Sequence, residues 1–242
     1  MPWVGGEVLV EDSIRAPRPL SGEALRSSYF DTTATFTLGL VRFRDGALRL
    51  GPWELLRFGS PATDPQGVTW PIQSGLLAAG PGGRFEVSWR DGRLAATVDG
   101  YRPALPLPIY ALTQLPFHHA LVRLQLLRIR GRRPSAGVPA DVSGRLAAAA
   151  IDAALCAGIT FALARKRRLR ALVAIAAGYH VAAWSASGRT LGGAIMRQRV
   201  VAVDGSRPSL AQAALRFALL PLAALRMRAV HDEIAGTDVI AE

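Results

Sequence analysis

Nineteen consecutive residues, Leu146 to Ala164, carry one charge, Asp152. A helix of about 20 apolar residues spans the roughly 30 Å hydrocarbon core of a bilayer. A segment of this kind either crosses a membrane or fills the middle of a helical bundle. A bundle helix would carry a polar stripe at period 3.6, and beyond Asp152 this segment has none. A second apolar segment, Ala171–Ser187, places Tyr179, His180 and Trp184 toward its far end, where an interfacial aromatic belt sits. The run Arg165-Lys166-Arg167-Arg168-Leu169-Arg170 separates the two by a tight turn. A third segment, Leu210–Leu225, is interrupted by Arg216 and Pro221 and reads as a partly inserted or amphipathic helix. The expectation is an all-α membrane domain over residues 145–242, with helices at about 146–164, 171–187 and 210–225.

The charge pattern supports this reading. The net charge is +11, and between Asp152 and Asp204 there are eight bases and no acid. A basic excess suits nucleic acid, an anionic lipid surface or the loops of a membrane protein. Here the bases cap apolar segments, so membrane lipids are the expected partner and nucleic acid is not. With the N-terminus inside, the inner flanks hold ten bases and the Arg165–Arg170 turn five. Residues 1–22 mix acids and prolines and do not resemble a secretory signal. Both features place the protein in the cell membrane as a multi-pass chain with a cytoplasmic N-terminal domain.

Residues 1–130 have a different texture. From Thr33, Phe36, Leu38 and Leu40 alternate with polar or small residues before Asp45-Gly46, and Leu48 and Leu50 resume the alternation. Phe85, Val87 and Trp89 lead into Asp91-Gly92, followed by Leu94, Ala96 and Val98. Asp-Gly between alternating runs is a strong hairpin signal. Further strands are expected at Glu7–Val10 and Val68–Ile72, a short helix around Glu23–Ser28, and a long helix at Ile109–Arg130. Residues 131–144 form a basic Pro/Gly linker. The fold class is therefore α+β: an antiparallel β-rich domain with a long helix, then a helical membrane domain. The meander with its helix loosely resembles the helix-grip, START-like architecture of lipid- and polyketide-binding proteins.

The polar residues of the apolar segments are the candidates for function. Asp152 follows Arg145 by seven residues, nearly two turns, so both project from one helix face about 10 Å apart. A carboxylate in a spanning helix marks a partner or a cavity by default. Asp152 serves either as a proton acceptor or as a fixed partner of Arg216 or His180. No catalytic constellation accompanies it. Cys156 is the only cysteine, His118-His119 lacks further ligands at metal spacing, and Gly80-Pro81-Gly82-Gly83 lacks the lysine of a phosphate loop. No enzyme activity, metal or cofactor is expected.

The order of these pieces resembles the RDD family of small membrane proteins. Arg145 and Asp152 match the Arg that opens its first membrane helix and the Asp within it. Gly188-Arg189-Thr190-Leu191-Gly192, Val200–Val203 and Asp204-Gly205 resemble its Gly-x-Thr-x-Gly run, short strand and turn. Arg216 matches a later Arg, and His231-Asp232 with Ala235-Gly236-Thr237 is similar to its closing motif. The resemblance covers about residues 141–240 and implies transport of an ion or small solute, with Arg145, Asp152, Arg216, His231 and Asp232 as functional polar residues. Arg145 and Arg216 would be the electrostatic partners of Asp152, with Asp232 at the membrane edge. Two spanning helices cannot enclose a pathway, so transport requires a homo-oligomer. The alternative is a membrane-anchored scaffold whose N-terminal domain binds a lipid or protein partner.

Overall fold

Asp45 and Gly46 sit at φ 52° and 74°, and Asp91 and Gly92 at φ 50° and 73°, the paired positive angles of a two-residue hairpin turn. In a computed structural model of the chain, the first turn joins β2 (Val41–Arg44) to β3 (Ala47–Leu50), and the second joins β7 (Arg84–Arg90) to β8 (Arg93–Tyr101). The structure describes residues 6–37, 39–132, 136–166, 168–222 and 230–242. It divides into two units, Met1–Gly131 and Arg132–Glu242.

The first unit is built on one antiparallel sheet. β1 (Val8–Arg15) pairs with β8, giving the order β1-β8-β7-β6-β4-β3-β2 with β4 at Trp53–Phe58 and β6 at Gly67–Ser74. A short β5 (Ala62–Asp64) hairpins onto β6. Alternation buries Leu94, Ala96 and Val98 from β8 and Phe85 and Val87 from β7, as expected of a sheet covered on one face. Between β1 and β2 run α1 (Gly22–Ser28), capped by the Ser21 side chain, and α2 (Thr33–Phe36). The expected strand from Thr33 is therefore a helical turn. Its backbone closes locally, Thr37 N–H on Thr33 O at 3.2 Å and Gly39 N–H on Ala34 O at 2.7 Å, and Gly39 at φ 82° ends it. Leu38 lies outside the described residues.

The long helix divides at Thr113 into α3 (Leu107–Leu112) and α4 (Gln114–Arg130). Pro116 explains the break, because its ring would collide with the Leu112 carbonyl in a continuous helix. The α4 helix packs on β1 and β8.

In the second unit, α5 (Val142–Leu163) and α6 (Arg168–Ala186) are 22 and 19 residues long, about 33 and 28 Å at the helical rise. They are the two described helices long and apolar enough to cross a membrane. α7 (Leu191–Ile195) packs on α5, and α8 (Leu210–Ala218) on α6 and on α9 (Val230–Ala235). The nine residues of α8 reach about 13 Å, too short to span; residues 223–225 of the expected third segment lie outside the described residues. Nor is the unit all-α. β9 (Gln198–Ala202) and β10 (Thr237–Ala241) form an antiparallel ribbon. Ala140 N–H donates to the Val239 carbonyl and Ala241 N–H to the Val138 carbonyl, both at 2.9 Å, so the end of the Pro/Gly stretch belongs to this unit. Residues 133–135 of that stretch lie outside the described residues.

Candidate functional site

The buried face of α5 is Gly144, Ala148, Asp152, Cys156 and Thr160, one residue per turn, while Val142, Leu146, Phe161 and Leu163 are exposed. A helix in the core of a soluble bundle does the reverse. Small and polar residues inside, with large apolar ones outside, is the packing of helices in lipid, where close approach replaces the hydrophobic drive.

Asp152 stands halfway along that face. Its Oδ1 accepts from Tyr179 O–H on α6 at 2.7 Å and from Gly192 N–H on α7 at 2.8 Å. The Tyr179 oxygen accepts in turn from Leu191 N–H at 2.7 Å. Thr190 accepts from Gly193 N–H at 3.1 Å and caps α7, so the first turn of α7 delivers two backbone donors to this network. Gly192 is required there: a Cβ would lie 2.1 Å from the Ala148 carbonyl oxygen. The second oxygen, Asp152 Oδ2, faces His180 Nε2 at 4.0 Å. His180 Nδ1 lies 2.9 Å from the Ala176 carbonyl, which can only accept, so Nδ1 carries a proton and Nε2 is the ring nitrogen turned toward the carboxylate.

Arg145 and Arg216, expected beside Asp152, pair instead with Asp232. Arg145 Nη2 donates to Asp232 Oδ2 at 2.6 Å, and Arg216 Nη1 forms an ion pair with Asp232 Oδ1. Thr237 Oγ1 accepts from Arg216 at 3.0 Å and donates to Asp232 Oδ1 at 2.9 Å. The Arg216 guanidinium also lies 4.9 Å from the Trp184 ring centre, within cation–π range. Asp232 is 2 % exposed. Gln212 Nε2, donating to Ala235 O at 2.9 Å, ties α8 to the end of α9. Burial, then repulsion from Arg145, lowers Arg216 to about 9, which leaves it charged at neutral pH. Burial, then Arg216, Arg145 and Arg132, lowers His231 to about 3, so His231 is neutral although its Nε2 is 3.6 Å from Asp232.

The five residues singled out in the sequence thus fall into two networks. Asp152 is in one; Arg145, Arg216, His231 and Asp232 are in the other. Tyr179 and Gly192 were missed as partners of Asp152. Gly192 had a signal, its place in the Gly-x-Thr-x-Gly run; Tyr179 read only as an interfacial aromatic. No group of three or more His, Cys, Asp or Glu side chains that could hold a metal occurs among the described residues.

Residues 169–236 match the model of the RDD family. The matched span includes Thr190, Gly192, Arg216, His231 and Asp232 and begins after Asp152. No curated protein and no solved structure matches the chain. The family match and the two helices of bilayer length are consistent with a membrane protein.

Proposed function

From an RDD-family segment attached to two helices of bilayer length, we propose an integral membrane protein that exchanges an ion or small solute, with Asp152 and His180 as its proton-accepting pair. The observation that carries this reading is the facing of Asp152 Oδ2 and His180 Nε2 at 4.0 Å. A proton placed on either group makes it a donor toward the other, which a closer approach of the two helices completes as a hydrogen bond. An intramembrane carboxylate with such a neighbour is the usual element of a proton relay. The exposed faces of α5 and α6 are available to other copies, and a homo-oligomer supplies the walls that two helices lack. The excess of flanking bases around the two spans supports a cytoplasmic first unit.

The test is cation-driven proton movement in proteoliposomes, read with a lumenal pH dye during sodium and potassium pulses. Asp152→Asn is expected to lower flux at least tenfold while leaving insertion intact. Equal flux in the parent and variant sinks the reading.

A second reading is favoured by the saturation of Asp232, which two arginines and Thr237 hold from three sides. Here the second unit is an anchor and both networks serve assembly. Parent protein without flux, together with an Asp152→Asn variant of lower thermal stability, would establish it.

A further inference from the structure

Between its sheet and α4, the first unit holds a cavity of about 160 Å³, near the size of one that accepts a benzene ring at roughly 150 Å³. Phe30, Phe58 and Phe85 wall it on one side, and Phe117, Leu121 and Val122 of α4 on the other. No Asp, Glu, Lys or Arg lines it among the described residues.

Gln114 supplies the polar feature. Tyr101 donates its hydroxyl proton to the Leu77 carbonyl, so its oxygen can only accept. The Gln114 amide nitrogen, 3.3 Å away, must therefore be the group facing Tyr101, which fixes the orientation of the amide. Gln114 Oε1 is left buried with no hydrogen-bond partner among the described residues. His118, also on the wall, is held neutral: burial, then His119, lowers it to about 4. Phe117 lines the cavity yet is 61 % exposed, so one aromatic ring of the wall also meets the surface.

We propose that this cavity binds an uncharged, ring-sized apolar molecule carrying one O–H or N–H donor, with the donor on Gln114 Oε1 and the body among the phenylalanines. A carboxylate of the same size is rejected, because it brings a buried negative charge to an acceptor with no cation near it. The inference is independent of transport by the second unit.

Trp70 provides the readout, since its ring centre lies 5.0 Å from that of Phe30 and 5.8 Å from that of Phe85. With the full chain in nanodiscs, 4-bromophenol is expected to quench Trp70 fluorescence saturably, and Trp70→Phe to remove that component. 4-Bromotoluene, which lacks the donor, should bind about five- to tenfold more weakly, the worth of one hydrogen bond. 4-Bromobenzoate should not bind. Gln114→Leu should erase the preference for the phenol without loss of toluene binding. Filling the cavity with Val41→Phe and Leu121→Phe should abolish saturable quenching by both. Quenching of the parent protein that is linear throughout would mean partition into lipid alone, and saturable quenching that survives in the filled variant would put the ligand elsewhere; either would overturn the site. Binding of 4-bromobenzoate as tight as that of the phenol, or an unchanged phenol preference in Gln114→Leu, would overturn the ligand class.

Discussion

Asp232 and Gly192 carry more of the second unit than their size suggests. Replacing Asp232 by Asn leaves buried Arg216, and half-buried Arg145 beside it, without their shared anion. Breaking a buried pair in this way costs about 3–5 kcal/mol, so Asp232→Asn is expected to lower the melting temperature of the detergent-solubilised protein sharply. An unshifted melt would show that the arginines find other partners. His118 sets a test in the other unit. Its folded value of about 4 lies below the ordinary 6.5, so the unfolded chain takes up the proton first. Its contribution to stability is full above pH 6.5 and declines as pH falls toward 4. His118→Asn should flatten that part of the pH–stability curve, monitored by urea unfolding; parallel curves would contradict the assignment. At this scale the sequence was half legible. The residue types of both networks could be read from it, and their pairing could not. Seven residues along one helix suggested that Arg145 serves Asp152, whereas the ion pairs depend on where α8 and α9 return, a property of tertiary contact and not of spacing.

Among the elements of the second unit, glycines divide by role. Gly158 on α5 and Gly178 on α6 have nothing within 4 Å of a Cβ position, whereas Gly192 on α7 has the Ala148 carbonyl oxygen at 2.1 Å. Gly158→Ala and Gly178→Ala should therefore be neutral or stabilise by up to about 1 kcal/mol. Gly192→Ala should push α7 off α5 and abolish a monodisperse peak in size-exclusion chromatography. Similar profiles for all three variants would refute the close packing. Hairpins and the two long apolar helices were legible because Asp-Gly turns and long apolar runs are local signals. The break at Thr113 was legible in principle from Pro116. The helix at Thr33–Phe36 was not, since its alternating apolar residues mimic a strand and only the surrounding contacts choose between them.

For the whole molecule, the inverted burial of α5 separates a lipid-embedded helix from a soluble core. Alkaline carbonate washing of membranes is expected to leave the full chain in the pellet. Release into the supernatant would mean that Leu146, Phe161 and Leu163 are covered by protein, and the exchange reading would fall with the membrane reading. The α+β division was plain from the change in texture near residue 130. The ribbon of β9 and β10 was not, because its strands stand about 40 residues apart and neither carries a hairpin turn to its partner.

The pairing of β1 with β8 also bears on synthesis. The first sheet cannot close until Tyr101 has been made, and α4 ends at Arg130, both before the first residue of α5 at Val142. Translation therefore supplies every strand of the first sheet before either bilayer-length helix is begun. A nascent chain stalled before Val142 should already resist protease.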